Sequence, residues 1–279
     1  MDDSQIESVR EELRRKQTEI WEPYDGHPIP ELFHFTSQEG FRGMIEKRQL
    51  WCTDIRHVND PREGDHGLSV VKSVVTRKSV YRPFKEHVLE SPCLFGMKSN
   101  WTGYIFCFCS AELPHMWQDY AERGTGCALV FNYDVLFAAA PAGRYAFLRM
   151  LYDQEKQAQQ VEATLDHAIN LERELAISGR KDRETYWWQV EFYLLTCAIR
   201  FKDPFWSQEQ EVRLWVSERS DNQPFEASGK ARVSTDFAPT SLKRVINGPA
   251  AGENLTIEKI TGLLREKHFA TVPVVGAAV

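Results

Sequence analysis

Short runs of apolar and aromatic residues, each closed by turn residues, limit what this chain can fold into more than any other feature. The clearest are Leu32-Phe33-His34-Phe35-Thr36, Tyr104-Ile105-Phe106-Cys107-Phe108-Cys109 and Cys127-Ala128-Leu129-Val130-Phe131. Runs of this length and composition form buried strands. Residues 211–216 (Glu-Val-Arg-Leu-Trp-Val) alternate polar and apolar, the mark of a half-buried strand, and residues 242–246 and 270–275 add two more. No run reaches the roughly 18 apolar residues of a membrane span, so no membrane partner is expected.

Helical patterns separate the strands. Residues 3–20 place Ile6, Val9, Leu13 and Ile20 at helical spacing, and residues 24–30, rich in Gly and Pro, end that helix. Ser37 offers an N-cap oxygen to a helix over 38–48 with Phe41, Met44 and Ile45 on one face, and residues 50–53 return as a strand. Asn59-Asp60-Pro61 makes a turn. Residues 116–122 form a short helix ended by Gly124 and Gly126, and residues 153–201 read as two long helices broken at Ser178-Gly179. Asn254 caps a last helix through Ile257, Ile260, Leu263 and Leu264. The alternation predicts an α+β fold: residues 1–30 as helix and linker, then one domain over 31–279 with a helical insertion at about 153–200.

Charge and cysteine content narrow the function classes. The formal net charge of -6 argues against gripping nucleic acid by bulk electrostatics. Five bases (Lys72, Arg77, Lys78, Arg82, Lys85) stand against one acid (Glu86) over residues 72–87. That stretch reads as a solvated helix face or as a patch facing phosphates. Cys107 and Cys109 form a C-x-C pair with no second pair to complete a zinc site, so no metal is expected. The N-terminus lacks the apolar core of a secretory signal, which sets a cytoplasmic expectation.

The phosphate-binding, hydrolase and zinc-protease signatures are absent, leaving polar residues inside apolar strands as the chemical candidates. His34 and Thr36 share a strand face, where imidazole can donate to a sugar hydroxyl; the competing reading is a satisfied core histidine. Glu209, Glu211 and Arg213 at spacing two fall on one side of a strand, about 6.6–7 Å between successive members. Arg213 keeps Glu211 ionised, ready to accept from a ribose hydroxyl and to stabilise an oxocarbenium ion by charge. A surface ion-pair ladder explains the same spacing. Trp117 and Tyr120 on the short helix, and Trp51 on a strand, are candidates for stacking on a flat ring or for core packing.

The succession L-F-H-F-T-S, G-F-R-G-M-I, L-W-C-T-D, V-N-D-P-R-E, Y-I-F-C-F-C-S, M-W-Q-D-Y-A-E-R-G-T-G-C-A-L-V-F, F-W-S-Q-E-Q-E-V-R-L and R-V-I-N-G-P resembles a prokaryotic family catalogued as a domain of unknown function, over residues 31–268. That family in turn looks like a remote branch of the ADP-ribosyltransferase superfamily. The resemblance implies a split antiparallel β-sandwich with NAD in the cleft. It implies His34 on the NAD ribose, the Phe35 backbone on the carboxamide, Tyr120 or Trp51 on nicotinamide, Glu211 as catalytic glutamate and Glu209 orienting the acceptor. Phe35 is bulkier than the small residue usual there, so its side chain points away from the cofactor. Arg56, Asn59 and Asp60 are assigned to the NAD phosphates, the acceptor or a turn. The implied acceptor is a protein, RNA or DNA, and the setting is that of a toxin or phage-defence effector with an antitoxin or defence-system partner. His34, an aromatic and Glu211 are expected to face one cleft. The rivals are a nucleotide- or partner-binding module without turnover and a metal-dependent nucleic-acid-processing enzyme.

Overall fold

A computed structural model of the chain describes residues 29–58, 64–91, 103–138, 145–174, 180–217 and 223–278, with Glu11 and Arg15 besides. The helix expected over 3–20, the turn at Asn59-Asp60-Pro61 and the break at Ser178-Gly179 lie outside the described residues. In chain order the elements are β1 (Glu31–Thr36), α1 (Gln38–Lys47), β2 (Gln49–Asp54), α2 (Asp65–Arg77), α3 (Arg82–Glu90), β3 (Gly103–Cys109), α4 (Pro114–Asp119) and β4 (Cys127–Asn132). There follow α5 (Tyr133–Ala138), β5 (Tyr145–Arg149), α6 (Gln154–Glu174), α7 (Arg180–Arg200), β6 (Glu211–Ser217), β7 (Phe225–Ala227), β8 (Lys230–Asp236), β9 (Leu242–Asn247), α8 (Ile257–Glu266) and β10 (Val274–Gly276).

Local chemistry accounts for the helix ends. Ser37 Oγ accepts the Gly40 amide at 2.9 Å to start α1, and Arg48, in the left-handed region at φ 55°, stops it. The cap of α8 is Thr256 rather than Asn254: its hydroxyl oxygen accepts the Lys259 amide at 3.3 Å. The closing strand is shorter than the sequence pattern suggests, three residues of β10 lying parallel to β9.

The chain divides into two compact units. One comprises Met1–Pro28, Val58–Trp101 and Met150–Ser207 and holds α2, α3, α6 and α7. Gly67 of α2 comes so close to α7 that a Cβ there would lie 2.0 Å from the Ala198 carbonyl oxygen. Arg77 and Lys78, two of the bases in the 72–87 stretch, pair with Glu162 of α6 at 2.7 and 2.8 Å, which favours the ion-paired helix face for that part of the stretch. Among the described residues no helix is long and apolar enough to cross a membrane.

The other unit comprises Ile29–His57, Thr102–Arg149 and Gln208–Val279 and carries the ten strands found among the described residues in one mostly antiparallel sheet, so the α+β expectation holds. The strand path is β10-β9-β4-β1-β3-β2-β8-β7, and β6 pairs with both β3 and β5. Strand β3 therefore has three neighbours. Strand β6 runs along its whole length on one edge, from Gly103↔Ser217 to Cys109↔Glu211. The other edge is shared: β2 pairs near the start of β3 (Asp54↔Tyr104, Thr53↔Ile105) and β1 at its end (Phe33↔Cys109). Between those rungs, at residues 106–108, neither strand pairs with β3 and the sheet parts.

Strand alternation sorts the side chains into two cores. Leu32, Phe106, Phe108, Val212 and Leu214 pack on one face with Phe41 and Ile45 of α1. Phe33, Phe35 and Cys109 pack on the other with Met116, Trp117 and Ala121. The turn after α4 is held against β1 through glycine, since a Cβ at Gly126 would lie 2.2 Å from the Thr36 carbonyl oxygen. Gly126→Ala is expected to destabilise this unit by about 1–3 kcal/mol through overpacking against backbone, read as a lower urea midpoint; an unchanged midpoint contradicts the packing described.

Candidate functional site

Where β1 and β2 leave β3, backbone groups of β3 lose their ladder partners and need others. The His34 side chain supplies one: Nδ1 lies 2.9 Å from the Cys107 carbonyl oxygen. Because that oxygen only accepts, Nδ1 carries the hydrogen. The ring lies 4.2 Å from the Phe106 ring and 6.2 Å from that of Phe108. Desolvation by this packing pushes the His34 pKa down to about 4, against the opposing effect of the Cys107 bond. The imidazole is therefore neutral at pH 7 with its lone pair on Nε2. In this tautomer Nε2 can only accept a hydrogen bond, so the donation expected from the sequence is not available through it.

Glu209, Glu211 and Arg213 do not form a three-residue ladder. Strand β6 begins at Glu211, while Glu209 ends the 3-10 turn Pro204–Glu209. Between them Gln210 takes φ 45°, a left-handed conformation that costs a non-glycine residue about 1–3 kcal/mol. It breaks the alternation that the spacing assumed. Ser110 holds the break, its amide donating to the Gln210 carbonyl at 3.0 Å and its hydroxyl to Gln210 Oε1 at 3.1 Å.

The two glutamates accordingly take different partners. Arg213 Nε and Nη2 donate to the two oxygens of Glu211 at 2.7 and 3.0 Å, with the side chains 1% and 5% exposed. This is a buried, bidentate pair, the arrangement that holds a carboxylate in place most firmly. Glu209 is also buried, and its Oε1 accepts from the Tyr120 hydroxyl at 3.0 Å. Tyr120, the C-cap of α4, is 42% exposed, its hydroxyl on Glu209.

Register fixes which groups share a face. Phe33, Cys109 and Glu211 are consecutive partners across β1, β3 and β6, so they lie on one face. His34, one residue on from Phe33, lies on the other with Phe106 and Phe108. His34 and Glu211 thus do not share a face, contrary to the single-cleft expectation. Cys107, on the Glu211 face, is the one exposed residue of the otherwise buried β3, and marks where that face opens.

The remaining candidates fall as follows. Phe35 is buried with its ring 4.9 Å from Trp117, edge to face, which takes both rings into the core. Thr36 Oγ1 lies where a Cβ of Gly40 would stand, 2.2 Å away, at the start of α1. Trp51 packs on Phe225 with Lys47 Nζ 4.4 Å and the Arg232 guanidinium 5.8 Å from its ring centre. Of the two stacking candidates, Tyr120 is the one that bonds a site glutamate, Glu209. Arg56 is locked to buried Asp54, whose oxygens accept from its backbone amide at 2.8 Å and from Nε at 2.9 and 3.1 Å. Burial works to raise the Asp54 pKa, but the bonds from Arg56 outweigh it and hold the carboxyl below its ordinary value. Asn59 and Asp60 lie outside the described residues.

Residues 116–214 match the family model described as "Protein of unknown function (DUF2971)". The match agrees with the domain-of-unknown-function part of the resemblance. It spans Tyr120, Glu209, Glu211 and Arg213 and stops short of His34 and Ser110. No curated protein and no solved structure matches the chain.

Asp54 and Ser110 went unassigned in the sequence. Both stand in motifs quoted above, L-W-C-T-D and Y-I-F-C-F-C-S, but their roles depend on contacts that only the fold makes. Two outcomes test the geometry. In an NMR titration the His34 imidazole should titrate near pH 4 with its proton on Nδ1; a midpoint near 6.5 contradicts the packed, neutral ring. Since the folded-state pKa lies below the unfolded one, the stability that His34 contributes is present above pH 6.5 and is lost as pH falls from 6.5 toward 4. Glu211→Gln strands the buried Arg213 charge and should cost about 3–5 kcal/mol, whereas Glu211→Gln/Arg213→Met should recover part of it; additive losses in chemical denaturation contradict the pairing.

Proposed function

We propose that this chain is an NAD-dependent ADP-ribosyltransferase, or an NAD glycohydrolase, acting on a macromolecular acceptor. The observation that carries the reading is the parting of the sheet at β3, with His34 from β1 set against Cys107 at the gap. The resemblance implies a split antiparallel β-sandwich with a histidine on its opening strand and a catalytic glutamate on a late strand; the described strands form one sheet that parts at β3, with His34 on β1 and Glu211 at the start of β6.

In this reading NAD lies over the end of β3, where the open edge lets one ligand reach groups from both faces. His34 Nε2 accepts from a ribose hydroxyl. Beyond Phe33, β1 has β4 on one edge and no strand on the other, so the stretch at Phe35 offers its backbone to the carboxamide. Tyr120 stacks on nicotinamide. Glu211, held by Arg213, accepts from the ribose 2′-hydroxyl and stabilises positive charge on the ring as the bond from C1′ to nicotinamide breaks. Nicotinamide leaves with the bonding electrons. The acceptor's nucleophile, or water, then bonds C1′ and gives its proton to Glu209. Arg56, aimed by Asp54, is the candidate for the pyrophosphate.

The acceptor class (protein, RNA or DNA) and the setting of a toxin or phage-defence effector follow from the resemblance alone. Incubation with labelled NAD and cell lysate is the direct test. Wild type should release nicotinamide and label an acceptor, and His34→Ala and Glu211→Gln should each slow release by about 100-fold or more. Wild type that neither binds NAD nor releases nicotinamide ends the transferase reading. NAD-dependent thermal stabilisation without release favours a binding module instead.

A further inference from the structure

We propose that Ser110 is a positioning residue for the carboxylate pair, acting by clamping Gln210 in its left-handed conformation. The inference rests on the reading of Glu209 and Glu211 as the groups that meet NAD and the acceptor.

The register Cys109↔Glu211 makes Ser110 and Gln210 the next rung of the β3–β6 ladder. At that rung the Ser110 amide keeps the ladder bond to the Gln210 carbonyl, and its hydroxyl adds a bond to Gln210 Oε1. The exposed Gln210 side chain thus has a partner fixed by the end of β3 rather than by solvent. The two bonds constrain the residue from its backbone and its side chain at once. A glutamine at φ 45° is strained, and without the clamp the turn relaxes toward the extended strand that E-x-E spacing implies. Relaxation moves Glu209 away from the Tyr120 hydroxyl and onto the side of the strand that Glu211 occupies, bringing two negative charges together. Ser110 itself touches neither NAD nor acceptor in this account; it acts through Gln210.

The test uses the full-length chain and nicotinamide release at varied NAD. Ser110→Ala and Gln210→Met, which removes the side-chain acceptor at similar length, should each lower kcat by about 10- to 100-fold while KM for NAD stays near that of wild type, because His34 and the Glu211–Arg213 pair are untouched. Ser110→Thr, which restores the hydroxyl, should recover most of the loss. In parallel, the Gln210 Cα chemical shift should move from left-handed toward extended values in Ser110→Ala. Wild-type kcat in both Ser110→Ala and Gln210→Met, or an unmoved Gln210 shift in Ser110→Ala, overturns the proposal. Wild-type protein that does not turn over NAD ends the transferase reading instead, and the chemical shift still decides whether Ser110 sets the turn.

Discussion

The open edge of β3 at residues 106–108 is the constraint from which the rest of the site follows. A central strand normally satisfies its amides and carbonyls on both edges through neighbouring strands. Here β2 leaves after Thr53 and β1 pairs only at Phe33, so the middle of β3 depends on a side chain for the Cys107 carbonyl. His34 meets that need, and the bond settles its tautomer and the direction of its lone pair, while desolvation against Phe106 and Phe108 keeps the ring neutral. A residue that looks like a core histidine by sequence is thereby the partner of an open backbone carbonyl, with its second ring nitrogen able to accept.

The carboxylates at the end of the same strand are governed by a different balance. Glu211 is taken out of water and compensated by Arg213 through two short bonds, a geometry that tolerates no loss of either partner. Glu209 is buried too, and its Oε1 accepts from the Tyr120 hydroxyl on a half-exposed ring. The left-handed residue between them, Gln210, lets the two buried glutamates take different partners. In the proposed reaction this separation divides the labour: a rigid carboxylate for the ribose and a second one for the proton of the incoming nucleophile.

The strands β1, β3, β4, β6 and β9 were legible because each is an apolar run between turn residues, and α1 because Ser37 and the spacing of Phe41, Met44 and Ile45 agree. Elements with weaker patterns were not: α2 and α3 carry scattered bases among their apolar residues, and β5, β7 and β8 are short or polar. The site was legible in its residue types more than in its geometry. Spacing two between Glu209 and Glu211 implies a shared face only if the backbone between them is extended, and Gln210 is not. Likewise the separation of His34 from Glu211 depends on register passed through β3, a contact of high sequence separation that no local pattern encodes. Trp51 and Tyr120 were indistinguishable by sequence, and their surroundings in the fold differ: Trp51 lies against Lys47, Arg232 and Phe225, and Tyr120 against Glu209.

The claim that the parted edge of β3 is where a dinucleotide binds is tested most directly by a crystal structure of the protein with a non-hydrolysable NAD analogue. The account predicts the ribose next to nicotinamide within hydrogen-bond distance of His34 Nε2 and the nicotinamide ring against Tyr120, over the end of β3. An analogue bound away from residues 106–110, or none bound at concentrations where NAD-using enzymes are saturated, contradicts it.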